Sequence, residues 1–111
     1  MLSTQETGLC LALTTAGSRE QAEKIAHALV EQKLAACVNI VDGVRSVYRW
    51  QGKVEEAVEF LLLIKTSRAN LTTVEQAVRE LHTYDLPEFL VLPVEGGSAE
   101  YLEWVLKSMR A

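Results

Sequence analysis

The sequence predicts an α+β fold of the ferredoxin-like kind, a βαββαβ sandwich with an extra C-terminal helix. Three observations carry the prediction. Apolar runs of strand length and apolar stripes of helical period follow one another in the order β-α-β-β-α-β-α. The two middle strand patterns are joined by "WQGK" (50–53), a short connection whose Gly52 favours a hairpin. No low-complexity tract or linker breaks the 111 residues, so residues 1–111 read as one domain with 1–7 a flexible N-terminus. The first six elements spell a split βαβ, a mixed sheet with two helices on one face.

The elements follow in order. "GLCLALTT" (8–15) is an apolar run of strand length. Ser18 and Gln21 form a capping box for the next helix. That helix carries Ala22, Ile25, Ala26, Leu29 and Val30 on one stripe, with His27 off it as a solvated surface histidine. Residues 35–50 form a long strand pattern broken at Asp42-Gly43, where a bulge or bend is expected. Residues 54–67 run back as a second long strand. A second helix follows, with Leu71, Val74, Val78 and Leu81 inward and a capping box from Thr72 and Glu75. "EFLVLPV" (88–94) is a strand whose Pro93 cannot donate to a ladder, so that end lies at an edge or stops pairing. Ser98 caps the last helix.

Composition narrows the function classes. The 49% apolar and 23% charged fractions match a globular protein with a real core. The net charge of −4 argues against a nucleic-acid or anionic-membrane surface, which needs clustered Lys and Arg. No run of about 18 apolar residues is present, so no membrane span is expected. The N-terminus lacks the basic and apolar regions of a signal peptide, so a cytoplasmic location is expected. Cys10 and Cys37 sit in apolar strand patterns and read as reduced, buried thiols.

The strands carry more apolar surface than two helices can cover. In "FLLLI" (60–64), Phe60, Leu62 and Ile64 point one way, and Leu61 and Leu63 the other. "FLVL" (89–92) and "LCLAL" (9–13) behave alike. Something must cover the second face, and another copy of the chain is the simplest cover. Glu59 and Lys65 share that face: they either mark strand ends or line a polar pocket inside an interface.

Five stretches then occur in register: "EQKLAACVNIV", "SVYRWQGKVEE", "LLIKT", "YDLPEFLVLPV" and "YLEWV". In their order and spacing the chain resembles the CutA divalent-cation tolerance family over about residues 8–110. The resemblance implies a homotrimer whose long hairpin strands extend the sheet across subunit boundaries. It also implies a link to tolerance of copper or other divalent cations. Two positions depart from the pattern. Thr83 stands where many members have proline, between the matching His82 and Tyr84. Thr14 stands where some members have a cysteine, so copper binding through a thiolate there is not expected.

The stretch "LHTYDLPE" (81–88) concentrates chemistry. His82 is a borderline ligand suited to Cu(II) or Zn(II), and Asp85 and Glu88 are its nearest oxygen donors. One protomer offers fewer than the roughly four ligands of a closed zinc site, so a subunit boundary would have to complete the set. Trp50, Glu59, Lys65 and Tyr84 could instead line a polar cleft. The plain alternative is a packed corner, with His82 at a helix C-terminus, Tyr84 filling space and Leu86-Pro87 starting a strand. Motifs for a serine nucleophile, a phosphate loop, a zinc protease or a dinucleotide are missing, so no enzyme is expected. The leading expectation is a homotrimer that weakly binds Cu(II) or another divalent cation in metal tolerance, without turnover. The alternative is a PII-like trimeric signalling module that holds a small anionic or nucleotide ligand between subunits.

Overall fold

A computed structural model describes residues 7–110. Its elements are β1 (Leu9–Ala16), α1 (Arg19–Glu31), β2 (Cys37–Trp50), β3 (Lys53–Ser67), a 3-10 turn (Arg68–Asn70), α2 (Leu71–Leu81), β4 (Leu90–Pro93) and α3 (Ala99–Lys107). The strands form one sheet in the order β2-β3-β1-β4. Every pairing in it is antiparallel, which corrects the expected mixed sheet. Each βαβ crossover skips one strand, so parallel strands are never neighbours. Residues 1–6 of the expected flexible N-terminus lie outside the described residues. Thr7 donates from Oγ1 to the Val94 carbonyl at 2.5 Å.

α1 and α2 cover one face of the sheet because their stripes meet its alternate residues. Ile25, Leu29, Val74 and Val78 are fully buried against Ala12, Leu62 and Ile64. Ser18 caps α1 by accepting from the Gln21 amide at 3.1 Å. The Gln21 side chain does not complete a capping box. It donates instead to the Leu81 carbonyl at 3.0 Å and ties α1 to the end of α2. The Thr72–Glu75 box is likewise absent: α2 starts after Asn70, which makes no side-chain cap, because the preceding 3-10 turn is capped by Ser67. Val30, expected inward, is 41% exposed at the stripe's margin. Cys10 is buried, but Cys37 is only half-buried because it opens a strand at the sheet's edge.

β2 and β3 outrun the rest of the sheet. β1 pairs with β3 only from Phe60 to Ser67, so the hairpin beyond projects as a two-stranded arm. Its turn places Gln51 and Gly52 at φ 51° and 81°, the positive pair that a tight two-residue hairpin turn requires. The register shift between Val41 and Val44, with Gly43 at φ 69°, is the bulge expected at Asp42-Gly43. β4 is shorter than the 88–94 pattern: pairing starts only at Leu90 and ends at Pro93, on an edge.

The second face is apolar, and α3 covers only one end of it. Val105 and Leu102 of α3 pack with Leu9, Ala36 and Val94. Beyond them Leu11, Leu13, Leu61 and Leu63 are half-buried, and Leu90 and Leu92 are exposed.

Candidate functional site

The loop after α2 turns back over the end of β1 and the middle of β3, and there it builds a corner. His82 ends α2: its amide donates to the Val78 carbonyl at 2.9 Å. Its ring then leaves the helix and reaches β1, with Nε2 2.6 Å from the Thr15 carbonyl. A carbonyl only accepts, so Nε2 carries the proton. Nδ1 in turn accepts from the Tyr84 amide at 3.1 Å. Both ring nitrogens are therefore used within the fold, and the imidazole acts as a clamp between β1 and the loop. Its ring lies 4.7 Å from that of Tyr84.

The clamp aims Tyr84 at β3. The phenol donates to Glu59 Oε2 at 2.8 Å, and Glu59 is 8% exposed. Gly17 makes the approach possible. A Cβ on it would stand 2.9 Å from the Tyr84 hydroxyl. Desolvation first, then the bond to Glu59 and its charge, push the Tyr84 phenol up to about 12. Glu88 lies across the same cavity, which holds about 410 Å³ and is lined also by Thr15, Tyr48 and Leu86. Thr14 fixes that side of the cavity by donating to the Glu88 carbonyl at 2.6 Å. Partial desolvation and the nearby Glu59 charge push the Glu88 carboxyl above its ordinary value.

The structure thus joins Glu59, Tyr84 and Glu88, with His82 behind them. It does not bring Trp50 or Lys65 to them. Trp50 pairs with Lys53 at the hairpin tip, and Lys65 pairs with Cys37 near the other end of β3. Each is six strand residues from the level of Glu59, about 20 Å in opposite directions. Lys65 donates instead to the Tyr101 hydroxyl at 3.0 Å, a bond that raises the ammonium above the usual lysine value. Asp85 is exposed on the loop. Among the described residues, no three His, Cys, Asp or Glu side chains stand close enough to hold one metal ion. Reading the sequence missed Tyr48, Thr15 and Gly17 at the corner. Only Gly17 left a trace, as the sole glycine between β1 and α1.

This geometry is that of a known group of proteins. The model of the CutA1 divalent ion tolerance protein family matches residues 10–108. The chain belongs to the CutA1 family. It is 49% identical over 96 residues to the chloroplastic CutA protein of Arabidopsis thaliana, covering 86% of this chain and 53% of that one. The chain therefore spans about half the length of that relative. The divalent cation tolerance protein of Thermus thermophilus superposes with a TM-score of 0.89 at 46% identity, over 92% of this chain and 99% of that one. A structure described as the periplasmic divalent cation tolerance protein CutA of Archaeoglobus fulgidus gives 0.87 at 39% identity, over 90% and 97%. CutA1 membership accords with the βαββαβ order, the long hairpin and the additional C-terminal helix found here. Among the described residues, no helix is long and apolar enough to cross a membrane.

Proposed function

We propose that this CutA1 chain is a cytoplasmic, single-domain divalent-cation tolerance protein that binds its ion weakly, copper(II) first, as a homotrimer without catalytic turnover. The observation that carries the reading is the pairing of Glu59 and Glu88 across one cavity, with the charge of Glu59 opposing ionisation of Glu88. A divalent cation between two such carboxylates relieves their repulsion and takes oxygen ligands from both. His82 and Asp85 do not converge with this pair in the protomer described here, so they join it only if the loop moves and His82 Nδ1 releases the Tyr84 amide. A second protomer supplies what this set lacks, which links metal binding to assembly. The open apolar face formed by Leu11, Leu13, Leu61, Leu63, Leu90 and Leu92 supports a covering copy. The net charge of −4 favours cations over anions near the surface.

Calorimetry with Cu(II) and Zn(II) on the wild type, Glu88→Gln and His82→Ala tests the reading. Copper should bind more tightly than zinc, by the general order of divalent affinities. Glu88→Gln should weaken copper at least tenfold, and His82→Ala should weaken it further if Nδ1 ligates. Unchanged copper binding in Glu88→Gln removes the corner from the site. A wild type that binds no divalent ion, but melts higher with a nucleotide, favours the PII-like alternative.

A further inference from the structure

The cavity at the Glu59–Tyr84 corner leaves a buried charge unanswered. Glu59 borders it and is 8% exposed. Tyr84 donates to Glu59 Oε2 at 2.8 Å, and Oε1 has no partner among the described residues. Oε1 is not sealed off either, because Gln21 Oε1 is the only side-chain oxygen or nitrogen among those residues that is buried without a partner. A phenol is neutral and leaves the carboxylate charge in place. Buried charges are ordinarily paired with an opposite charge or a metal. Among the described residues, the ion pairs are Arg19–Asp42, His27–Glu31, Arg45–Glu56 and Lys107–Glu103. Neither Glu59 nor Glu88, which lies across the cavity, belongs to one.

The space around these two carboxylates is more than a bare ion fills. The cavity holds about 410 Å³, within the range of small-molecule sites. Val47 and Leu86 give it aliphatic walls, and both are exposed in the protomer. Tyr48 adds an aromatic ring, to which an ammonium is attracted. The desolvation and the Glu59 charge that push the Glu88 carboxyl up are both relieved by positive charge between the two acids.

We propose that this cavity binds a short aliphatic diamine in its diammonium form, with one ammonium on Glu59, the other on Glu88 and the methylenes along Val47 and Leu86. Each ammonium brings three donors, which suits the open Oε1 of Glu59 and the carboxylate of Glu88. The two acids set the charge of the ligand, and the aliphatic walls between them set its body. A monoamine leaves one carboxylate without a cation. A diol carries no charge to offset either. A nucleotide or other anion meets two negative groups. The inference concerns the cavity of the copper reading but does not rest on copper, since a metal ion makes no use of the aliphatic walls.

The test uses the full chain in its native assembly at neutral pH, with a chelator present so that no metal ion contributes. The probes are 1,4-diaminobutane, butylamine and 1,4-butanediol, followed by amide-resolved NMR. The diamine should give saturable shifts at the amides of Thr15, Tyr48, Tyr84 and Leu86. Butylamine should bind at least tenfold more weakly, and butanediol should give no shift. Glu59→Gln should reduce diamine affinity at least tenfold. Glu88→Gln changes an exposed residue, so the fold stands, and it should bring the diamine down to the affinity of butylamine. Shifts scattered over the acidic surface overturn the inference, as do equal binding of diamine and butylamine or full diamine affinity in either variant. A cavity already holding a lysine or arginine of a second copy would show no shifts and overturns it too. Absence of copper binding in the separate calorimetry leaves a positive diamine result intact, and absence of diamine binding leaves the copper reading intact.

Discussion

Gly17, Tyr84 and Glu59 form the tightest contact at the corner, and its chemistry depends on a missing methyl group. An alanine at 17 would place its Cβ 2.9 Å from the Tyr84 oxygen, so the phenol must move off Glu59. Glu59 is 8% exposed and would lose its hydrogen-bond partner, at a cost of about 1–3 kcal/mol. Gly17→Ala should therefore lower the unfolding free energy by that amount, read as an earlier midpoint in denaturant titration at unchanged slope. Ultraviolet titration gives a second readout. Tyr84, held up to about 12, should ionise late in the wild type, and Tyr84→Phe should remove that late phase. The sign for stability is set by the raised value: the neutral phenol stabilises the fold below its ordinary pKa, and this is lost as pH rises toward about 12. Glu88 is also raised, so its contribution is greatest at acid pH and is lost as the carboxyl ionises in the fold. Glu88→Gln should raise the melting temperature at pH 7 and flatten its dependence on pH just above the ordinary carboxylate range. The shift should be small, because Glu88 is an exposed residue and solvent screens it.

Elements differ in how firmly they are held. α1 and α2 bury whole stripes over the sheet, whereas α3 buries only Val105 fully and rests on a small satellite core. Its start depends on Ser98, whose hydroxyl accepts from the Tyr101 amide. Ser98→Ala should cost about 1 kcal/mol, the ordinary value of an N-cap. Hydrogen exchange should show the loss in α3 before α1, because a short helix on a small core opens locally. Equal loss of protection in both helices would mean that α3 unfolds only with the whole chain. The projecting hairpin has no such packing partner in this protomer. Val47, Val54 and Val58 are all about two-thirds exposed along it.

At the scale of the whole molecule, the uncovered face is the dominant fact. Leu90 and Leu92 are 58% and 49% exposed beside the half-buried Leu61 and Leu63. An apolar surface of this kind marks an interface in a stable protein. Light scattering coupled to gel filtration should find three times the 12.3 kDa chain mass. Leu61→Asp should dissociate the assembly, because it sets a charge in the middle of that face. Gln32→Asp, at the exposed end of α1, should leave the mass unchanged. A compact 12.3 kDa wild-type species would contradict the covered-face argument.

Much of this architecture was legible in the residues alone. Element order, the inward stripes, the bulge at Asp42-Gly43 and the two-faced apolar strands follow from local periodicity and from backbone angles that few residues adopt. Family membership was legible too, because five motifs in register carry more information than any one of them. Caps were read less well: Thr72–Glu75 fits a capping box by spacing, but the chain entered α2 through a 3-10 turn that spacing does not encode. The site lay further out of reach. His82 read either as a metal ligand or as a residue at a helix C-terminus, and tertiary contacts with Thr15 and Tyr84 occupy both of its ring nitrogens. Glu59 and Lys65 share a face of β3, yet the fold gives one to Tyr84 and the other to Tyr101. Sequence periodicity specifies which side of an element a residue takes. Which partner waits there depends on long-range docking of loop and helix, and only the tertiary structure decides it.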